Sequence, residues 1–168
     1  MRNHVSAKAG RQKFMKVKDV MSQDVRICGI NDNLSTAART MWMRDCGILP
    51  IVNNKGTVVG VLTDRDICLA AGSKDRRLSS IAVNEVMMRQ LYSCPPEADI
   101  REALQIMREK RVRRLPVVDS KGALRGILSL DDVAVKMRAA DKPAELSAED
   151  VEITLEAICR RTPQKEAA

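Results

Sequence analysis

The chain of 168 residues is poor in aromatic side chains, has one histidine and contains no long apolar run. Its three aromatic residues are Phe14, Trp42 and Tyr92, too few for the stacking platforms that single-stranded nucleic acids require. Five cysteines form no C-x-x-C pair and His4 stands alone, so the sequence offers no zinc-type ligand set and we expect no metal. Free thiols without a membrane-spanning run or a signal-peptide pattern predict a cytoplasmic protein that does not enter a membrane.

The sequence also lacks a Ser-His-Asp set, a cluster of metal ligands and a Walker-type phosphate loop. Four carboxylates near the ends of predicted strands have no partner base or nucleophile: Asp64, Asp66, Asp131 and Asp132. We therefore expect a protein that is not an enzyme and that requires no cofactor.

The net charge of +7 belongs almost entirely to one end of the chain. The first eighteen residues carry Lys and Arg but no carboxylate, and the remainder is nearly neutral. We expect residues 1–14 to form a basic, disordered tail and nucleic acid not to be a partner.

What the chain does contain is an internal repeat. Residues 17–67 align without a gap on residues 83–133, at a fixed offset of 66 positions. Leu-Pro-Ile-Val at residues 49–52 matches Leu-Pro-Val-Val at residues 115–118. A duplication of this length predicts two similar lobes that bury a face against each other and leave a cleft between them.

Each copy reads as strand, helix, strand, strand, helix. In the first copy the pattern predicts a strand at residues 25–28, a helix from Leu34 that ends at Gly47, and a hairpin that turns at residues 53–56. In the second copy the first strand is expected at residues 91–94. The resulting division of the chain is a tail at 1–14, a first repeat at 15–72, a linker at 73–82, a second repeat at 83–140 and a C-terminal helical extension at 141–168.

Three motifs, in the same order in both copies, give the repeats a resemblance to a known family. The first copy has Val-Lys-Asp-Val-Met-Ser at residues 17–22, the Leu-Pro-Ile-Val segment, and Gly-Val-Leu-Thr-Asp-Arg-Asp at residues 60–66. Each copy resembles a CBS domain, and the two together resemble the tandem CBS pair, or Bateman module, of small stand-alone bacterial proteins. The resemblance implies an α+β fold, with two β-α-β-β-α repeats packed sheet to sheet around a pseudo-two-fold axis and a C-terminal helix added.

The resemblance also implies ligands and partners. CBS pairs commonly bind an adenine nucleotide such as AMP, ADP or ATP in the cleft between the repeats, and some bind S-adenosylmethionine. Two pairs often form a disc-shaped homodimer, which leads us to expect a homodimer here. Its regulated protein partner lies on another chain, which the sequence does not name.

The candidate ribose and phosphate ligands are Thr63, Asp66, Ser129 and Asp132. A carboxylate accepts two hydrogen bonds and can therefore hold both hydroxyls of a ribose. The same spacing is also a helix-capping pattern, which each helix needs whether or not a ligand binds. Both interpretations remain open, and they are compatible.

The remaining candidates follow from the resemblance and from charge. By analogy with the family, the adenine pocket is lined by Ile27, Cys28, Ile48, Pro50, Ser93, Cys94, Leu115 and Pro116. The alternative for the two cysteines is an ordinary place in the core. The phosphate candidates are Arg111, Arg113 and Arg114, although cations at a helix C-terminus are also favoured by its dipole.

Two functions are consistent with these features. The first is a non-catalytic regulatory module that binds an adenine nucleotide and signals by a change in conformation or dimer packing. The alternative is a protein-interaction or dimerisation scaffold whose ligand sites are degenerate.

Overall fold

The computed structural model describes residues 15–139 and 146–160, so the predicted basic tail at 1–14 lies outside the described residues. The helices are α1 (Leu34–Arg44), α2 (Asp64–Ser73), α3 (Ile100–Lys110), α4 (Leu130–Ala139) and α5 (Ala148–Cys159). The strands are β1 (Cys28–Gly29), β2 (Ile48–Val52), β3 (Val58–Thr63), β4 (Arg114–Val118) and β5 (Leu124–Ser129).

The strands form one sheet in each repeat. The first sheet has the order β1-β2-β3, with β1 parallel to β2 and β2 antiparallel to β3. The second sheet pairs β4 with β5, and its expected first strand is reduced to a single bridge between Cys94 and Val117. The first strands are thus shorter than the predicted segments at 25–28 and 91–94. The predicted α+β fold of two tandem repeats with an added C-terminal helix is confirmed.

The first segment of each repeat, residues 17–22 and residues 83–88, packs on the other repeat and is called its exchanged segment. Val17 is fully buried in the core of the second repeat, whereas Val83 is fully buried in the core of the first. Ser22 forms a bridge to β5 and Met88 forms the equivalent bridge to β3. This exchange ties the two lobes together through main-chain hydrogen bonds.

Two glycines permit the close approach of the exchanged segments. A Cβ atom at Gly60 would lie 2.5 Å from the carbonyl oxygen of Met88, and one at Gly126 would lie 2.7 Å from that of Ser22. Because backbone oxygen atoms cannot move aside as a flexible side chain can, both positions require glycine.

An ion-pair cluster also holds the first exchanged segment on the second repeat. The ammonium groups of Lys16 and Lys18 lie 2.6 and 2.7 Å from the carboxylate oxygens of Glu97. Hydrogen bonds from Lys16, which has the larger effect, and from Lys18 lower the pKa of Glu97 to about 2.

Helix α1 ends earlier than the sequence indicates. It stops at Arg44, and Asp45 rather than Gly47 adopts the left-handed conformation, with a φ of 47°. The backbone N–H of Asp45 donates to the carbonyl oxygens of Met41 and Trp42. Gly47 instead leaves room for the side chain of Asp64, since a Cβ atom at position 47 would lie 3.0 Å from the Asp64 carboxylate.

The C-terminal helix α5 packs on α3 and α4 of its own chain. Thr154 is fully buried in this contact, and its hydroxyl accepts a hydrogen bond of 3.2 Å from the guanidinium of Arg108. Leu146, just before the helix, is 2% exposed and joins the core of the second repeat. The helix therefore completes one lobe.

Candidate ligand-binding cleft

A cleft of about 260 Å³ lies between the two repeats. The first repeat contributes residues 24–26 and 44–48 to its wall, and the exchanged segment contributes Ser22. The second repeat contributes Arg114, Ile127, Ser129 and Asp132. A ligand in this cleft would contact both repeats at once.

Ser129 and Asp132 form a helix cap and also line the cleft. The Oδ2 atom of Asp132 accepts hydrogen bonds from the Ser129 backbone N–H at 3.1 Å and from its hydroxyl at 2.6 Å. The Asp132 backbone N–H donates to the Ser129 hydroxyl at 3.0 Å, so the pair caps α4. The other carboxylate oxygen, Oδ1, lies 3.5 Å from the Ser22 hydroxyl on the cleft wall. One oxygen thus holds the helix and the second is positioned at the cleft.

Thr63 and Asp66 form the same cap in the first repeat. Asp66 Oδ2 accepts from the Thr63 backbone N–H at 2.9 Å and from its hydroxyl at 2.7 Å. Neither residue lines the cleft that contains Asp132. The structure therefore brings the second of the two predicted pairs to this cleft, and the first acts as a cap away from it.

Of the eight predicted adenine-pocket residues, one lines the cleft and seven do not. Ile48 lines it. Five are buried: Cys28, Pro50, Cys94, Leu115 and Pro116. Ile27 is 50% exposed, and Ser93 does not reach the cleft.

The two buried thiols behave as core groups. Burial, with a hydrogen bond of 3.3 Å to the carboxylate of Asp32, raises the pKa of Cys28 to about 12. Burial raises the pKa of Cys94 to about 11. Both thiols are therefore neutral near pH 7, which agrees with the core alternative.

Three guanidinium groups surround the cleft, and the sequence indicated only one of them as a phosphate ligand. Of the three phosphate candidates, Arg114 lines the cleft, whereas Arg113 lines a neighbouring cavity and Arg111 forms the left-handed cap of α3. Arg26 and Arg44 complete the set. The sequence did not indicate Arg26 as a cleft residue. The feature that could have done so is the difference between the repeats at this position, where the second repeat has Tyr92.

Arg26 has hydrogen-bonding capacity to spare. Its Nη2 atom lies 3.4 Å from the Asp24 carboxylate, but its Nε atom is buried without a hydrogen-bond partner. A buried donor without a partner costs about 1–3 kcal/mol.

The position that the repeat relates to this cleft differs from it at three residues. Ser22, Arg26 and Gly47 are replaced at the 66-residue offset by Met88, Tyr92 and Arg113. Each replacement is bulkier or removes a polar group, and the Lys110 ammonium lies 5.7 Å above the centre of the Tyr92 ring. The two pseudo-symmetric positions therefore differ in shape and in polarity.

A second, larger cavity of about 890 Å³ lies beside the cleft, on the face formed by α1 and α2. The two cavities share a wall made of residues 45–47 and Arg114. Within the described parts of the chain, no three His, Cys, Asp or Glu side chains are placed to hold a metal ion. Over the same residues, every helix is too short or too polar to span a bilayer.

Comparison with known proteins agrees with this architecture. The family model for the CBS domain matches residues 17–73 and again residues 83–138. The CBS domain-containing protein YhcV of Bacillus subtilis is 38% identical over 119 residues, which are 71% of this chain and 83% of that protein.

Two solved structures share the fold. The CBS domain pair of MJ0100, in complex with 5'-methylthioadenosine and S-adenosyl-L-methionine, matches with a TM-score of 0.68 and 23% identity over 76% of this chain and 98% of its own. CBSX2 in complex with AMP matches with a TM-score of 0.67 and 24% identity over the same shares. The duplicated sequence, the paired sheets and the matched family model together show that this chain belongs to the CBS domain family and carries two such domains in tandem.

Proposed function

We propose that this protein is a non-catalytic regulatory module that binds an adenine nucleotide in the 260 Å³ cleft between its repeats. The observation that carries the proposal is the meeting of Asp132 with three arginines from both repeats at one cleft. Proteins of the same fold bind AMP, or 5'-methylthioadenosine and S-adenosyl-L-methionine, in their crystal structures.

Each part of a nucleotide has a complementary group in this cleft. The Oδ1 atom of Asp132 accepts a hydrogen bond from a ribose hydroxyl, with the Ser22 hydroxyl beside it. The guanidinium groups of Arg26, Arg44 and Arg114 hold the phosphate. The side chain of Ile48 provides an apolar contact for the base.

The size of the cleft favours a small ligand. Its volume of 260 Å³ lies just below the range of about 300–1,000 Å³ that is usual for small-molecule sites. Two carboxylates on the same wall, Asp24 and Asp45, offset part of the arginine charge. We therefore propose AMP as a better ligand than ADP, ATP or S-adenosylmethionine.

The signal follows from the position of the ligand. A molecule that touches both repeats stabilises one relative arrangement of them, and the population shifts toward that arrangement. The proposal includes a homodimer as the form that a regulated protein partner recognises.

Calorimetric titration with AMP, ADP, ATP and S-adenosylmethionine tests the proposal. We expect saturable binding of at least AMP, and we expect Arg26→Gln to weaken it. The matched control is Arg125→Gln, which removes a guanidinium that lies 2.7 Å from Asp119 outside the cleft. Absence of heat and of a thermal shift with all four ligands, up to millimolar concentration, would refute the ligand-sensor function.

A specific observation also supports the scaffold alternative. Trp42 is 88% exposed on the face of α1 and α2. A large apolar side chain that is exposed to solvent in this way is typical of a surface that contacts another protein. On this alternative the chain self-associates equally well with and without nucleotide. Sedimentation in the presence and absence of AMP separates the two functions.

A further inference from the structure

The 890 Å³ cavity beside the cleft has an apolar lining on α1 and α2. Met41, Ile67 and Trp42 contribute large apolar side chains to it, and the indole of Trp42 is largely exposed. Its volume lies within the range of about 300–1,000 Å³ that is usual for small-molecule sites. The cavity is therefore large enough for an apolar group of several carbon atoms.

The chain itself fills the equivalent space of the second repeat with apolar groups. At the 66-residue offset Ala38 corresponds to Leu104, and Ala71 corresponds to Met137. Helix α5 packs on α3 and α4 there, and its Val151 packs against the apolar core of that repeat. In the first repeat the two alanines leave more room, and no described residue of α5 lines the cavity. Apolar groups are therefore what this type of helix pair packs against.

The charged end of the cavity adjoins the nucleotide cleft. Asp45 and Arg114 line both spaces, and Arg113, the residue before Arg114, lines the cavity alone. Gly47 belongs to the same shared wall and has no side chain that could separate the two spaces. A phosphate beside Arg114 in the cleft therefore lies next to the cavity, and a group attached to that phosphate can extend into it.

The charges of the cleft favour a phosphate that carries a single negative charge. The three arginines of the cleft are matched by three carboxylates on the same walls, from Asp24, Asp45 and Asp132. A phosphate monoester carries about 1.5–2 negative charges near pH 7. A phosphodiester carries only one, because a second acidic oxygen is esterified, and it is therefore repelled less by these carboxylates.

We propose that the ligand is an adenine nucleotide whose 5'-phosphate carries an apolar substituent, with the nucleotide in the 260 Å³ cleft and the substituent in the 890 Å³ cavity. This inference rests on the proposed function and specifies the chemical class of its ligand. Arg114 holds the phosphodiester at the shared wall, and the substituent packs against Met41, Ile67 and the indole of Trp42. AMP itself fills only the cleft.

Calorimetric titration with AMP and with its methyl, butyl and octyl phosphodiesters tests the inference. We expect the affinity to rise about two- to fourfold for each methylene that enters the cavity, as burial of apolar groups predicts. The octyl ester should also shift the emission of Trp42, the single tryptophan of the chain, to shorter wavelength.

Two variants test the position of the substituent. Trp42→Ala removes part of the apolar lining, and Ala71→Met introduces the side chain of the other repeat at an exposed position of the cavity wall. Each is expected to lower the ratio of octyl-ester affinity to AMP affinity by about tenfold. The matched control is Met43→Ala, because Met43 is a 71% exposed apolar residue of α1 that does not line the cavity. We expect it to leave the ratio unchanged.

The outcomes separate this inference from the proposed function. Equal affinities of AMP and its three esters, or a gain that both variants retain, would overturn the inference and leave nucleotide binding standing. Absence of binding by AMP and by every ester would overturn both. Octyl phosphate without adenosine that binds as tightly as the octyl ester would also overturn the inference, because the gain would then be a detergent effect. So would an indole that becomes shielded only as the protein concentration rises, since the face would then contact another protein.

Discussion

Replacing Asp132 by Asn separates ligand binding from helix capping at a single side chain. In the wild-type protein Oδ2 of Asp132 accepts two hydrogen bonds from Ser129, while Oδ1 is positioned at the cleft. Asparagine retains an oxygen for the cap but places an amide donor, without charge, where a ribose hydroxyl needs an acceptor. A hydrogen bond to a charged group contributes about 1.5–3 kcal/mol. At 1.4 kcal/mol for each tenfold change, we expect Asp132→Asn to weaken AMP about 10- to 150-fold.

The matched control is Asp66→Asn, which changes an equivalent cap in the first repeat. Asp66 makes the same contacts to Thr63, at 2.9 and 2.7 Å, but does not line the cleft. Loss of a negative charge at a helix N-terminus costs about 0.3–1 kcal/mol. For a chain of this length that lowers the melting temperature by roughly 1–4 °C in either variant.

The assay is calorimetric titration with AMP, alongside thermal melting of the ligand-free proteins. We expect both variants to lose similar stability and only Asp132→Asn to lose affinity. Equal losses of affinity in the two variants, or normal binding by Asp132→Asn, would show that the carboxylate is a cap and nothing more.

Three further predictions concern the folded chain. The thiols of Cys28 and Cys94, with pKa values of about 12 and 11, should react with a disulfide reagent at pH 8 only as fast as the protein unfolds, and rapid labelling of either would contradict their burial. The two exposed thiols, which should react at once, are Cys68 and Cys159. Gly60→Ala should lower the unfolding free energy measured in urea, by about 1–3 kcal/mol as overpacking does, whereas Gly72→Ala in open space within α2 should raise it. Because the pKa of Glu97 is about 2 instead of 4.5, its ion pairs stabilise the fold above pH 4.5 and are lost as the pH falls toward 2. Glu97→Gln should thus be less stable than wild type at pH 7 and equal to it below pH 2, and a difference independent of pH would refute the assignment.

The elements of the fold could be predicted because their signals are local. The hairpin turn at 53–56 needs a residue with positive φ, and Gly56 supplies it with a φ of 75°. The α5 cap needs a hydroxyl and a carboxylate three residues apart, and Ser147 and Asp150 supply them. The first strands were overestimated because apolar residues near a sheet edge do not show how far the ladder of hydrogen bonds extends.

The site was only partly predictable, because its groups come from different repeats. Of the predicted residues, the structure places Ile48, Arg114, Ser129 and Asp132 in the cleft. Arg26 joins them, although nothing in its own neighbourhood distinguishes it from a solvated arginine. The pattern Thr63-x-x-Asp66 is as good as Ser129-x-x-Asp132 in sequence, and only the packing of the lobes makes one of them a cleft wall.

By itself the sequence determined the duplicated α+β architecture and the helix caps, since hydrophobic periodicity, turn residues and capping pairs act over a few positions. Only the tertiary structure decided that the leading segments change places between lobes and that α5 covers one helix face and leaves Trp42 exposed on the other. It likewise decided that Ser129 and Asp132 line the cleft, whereas Thr63 and Asp66 do not. These outcomes depend on which side chains meet across the pseudo-two-fold axis, and contacts between distant residues leave no periodic trace in a single chain.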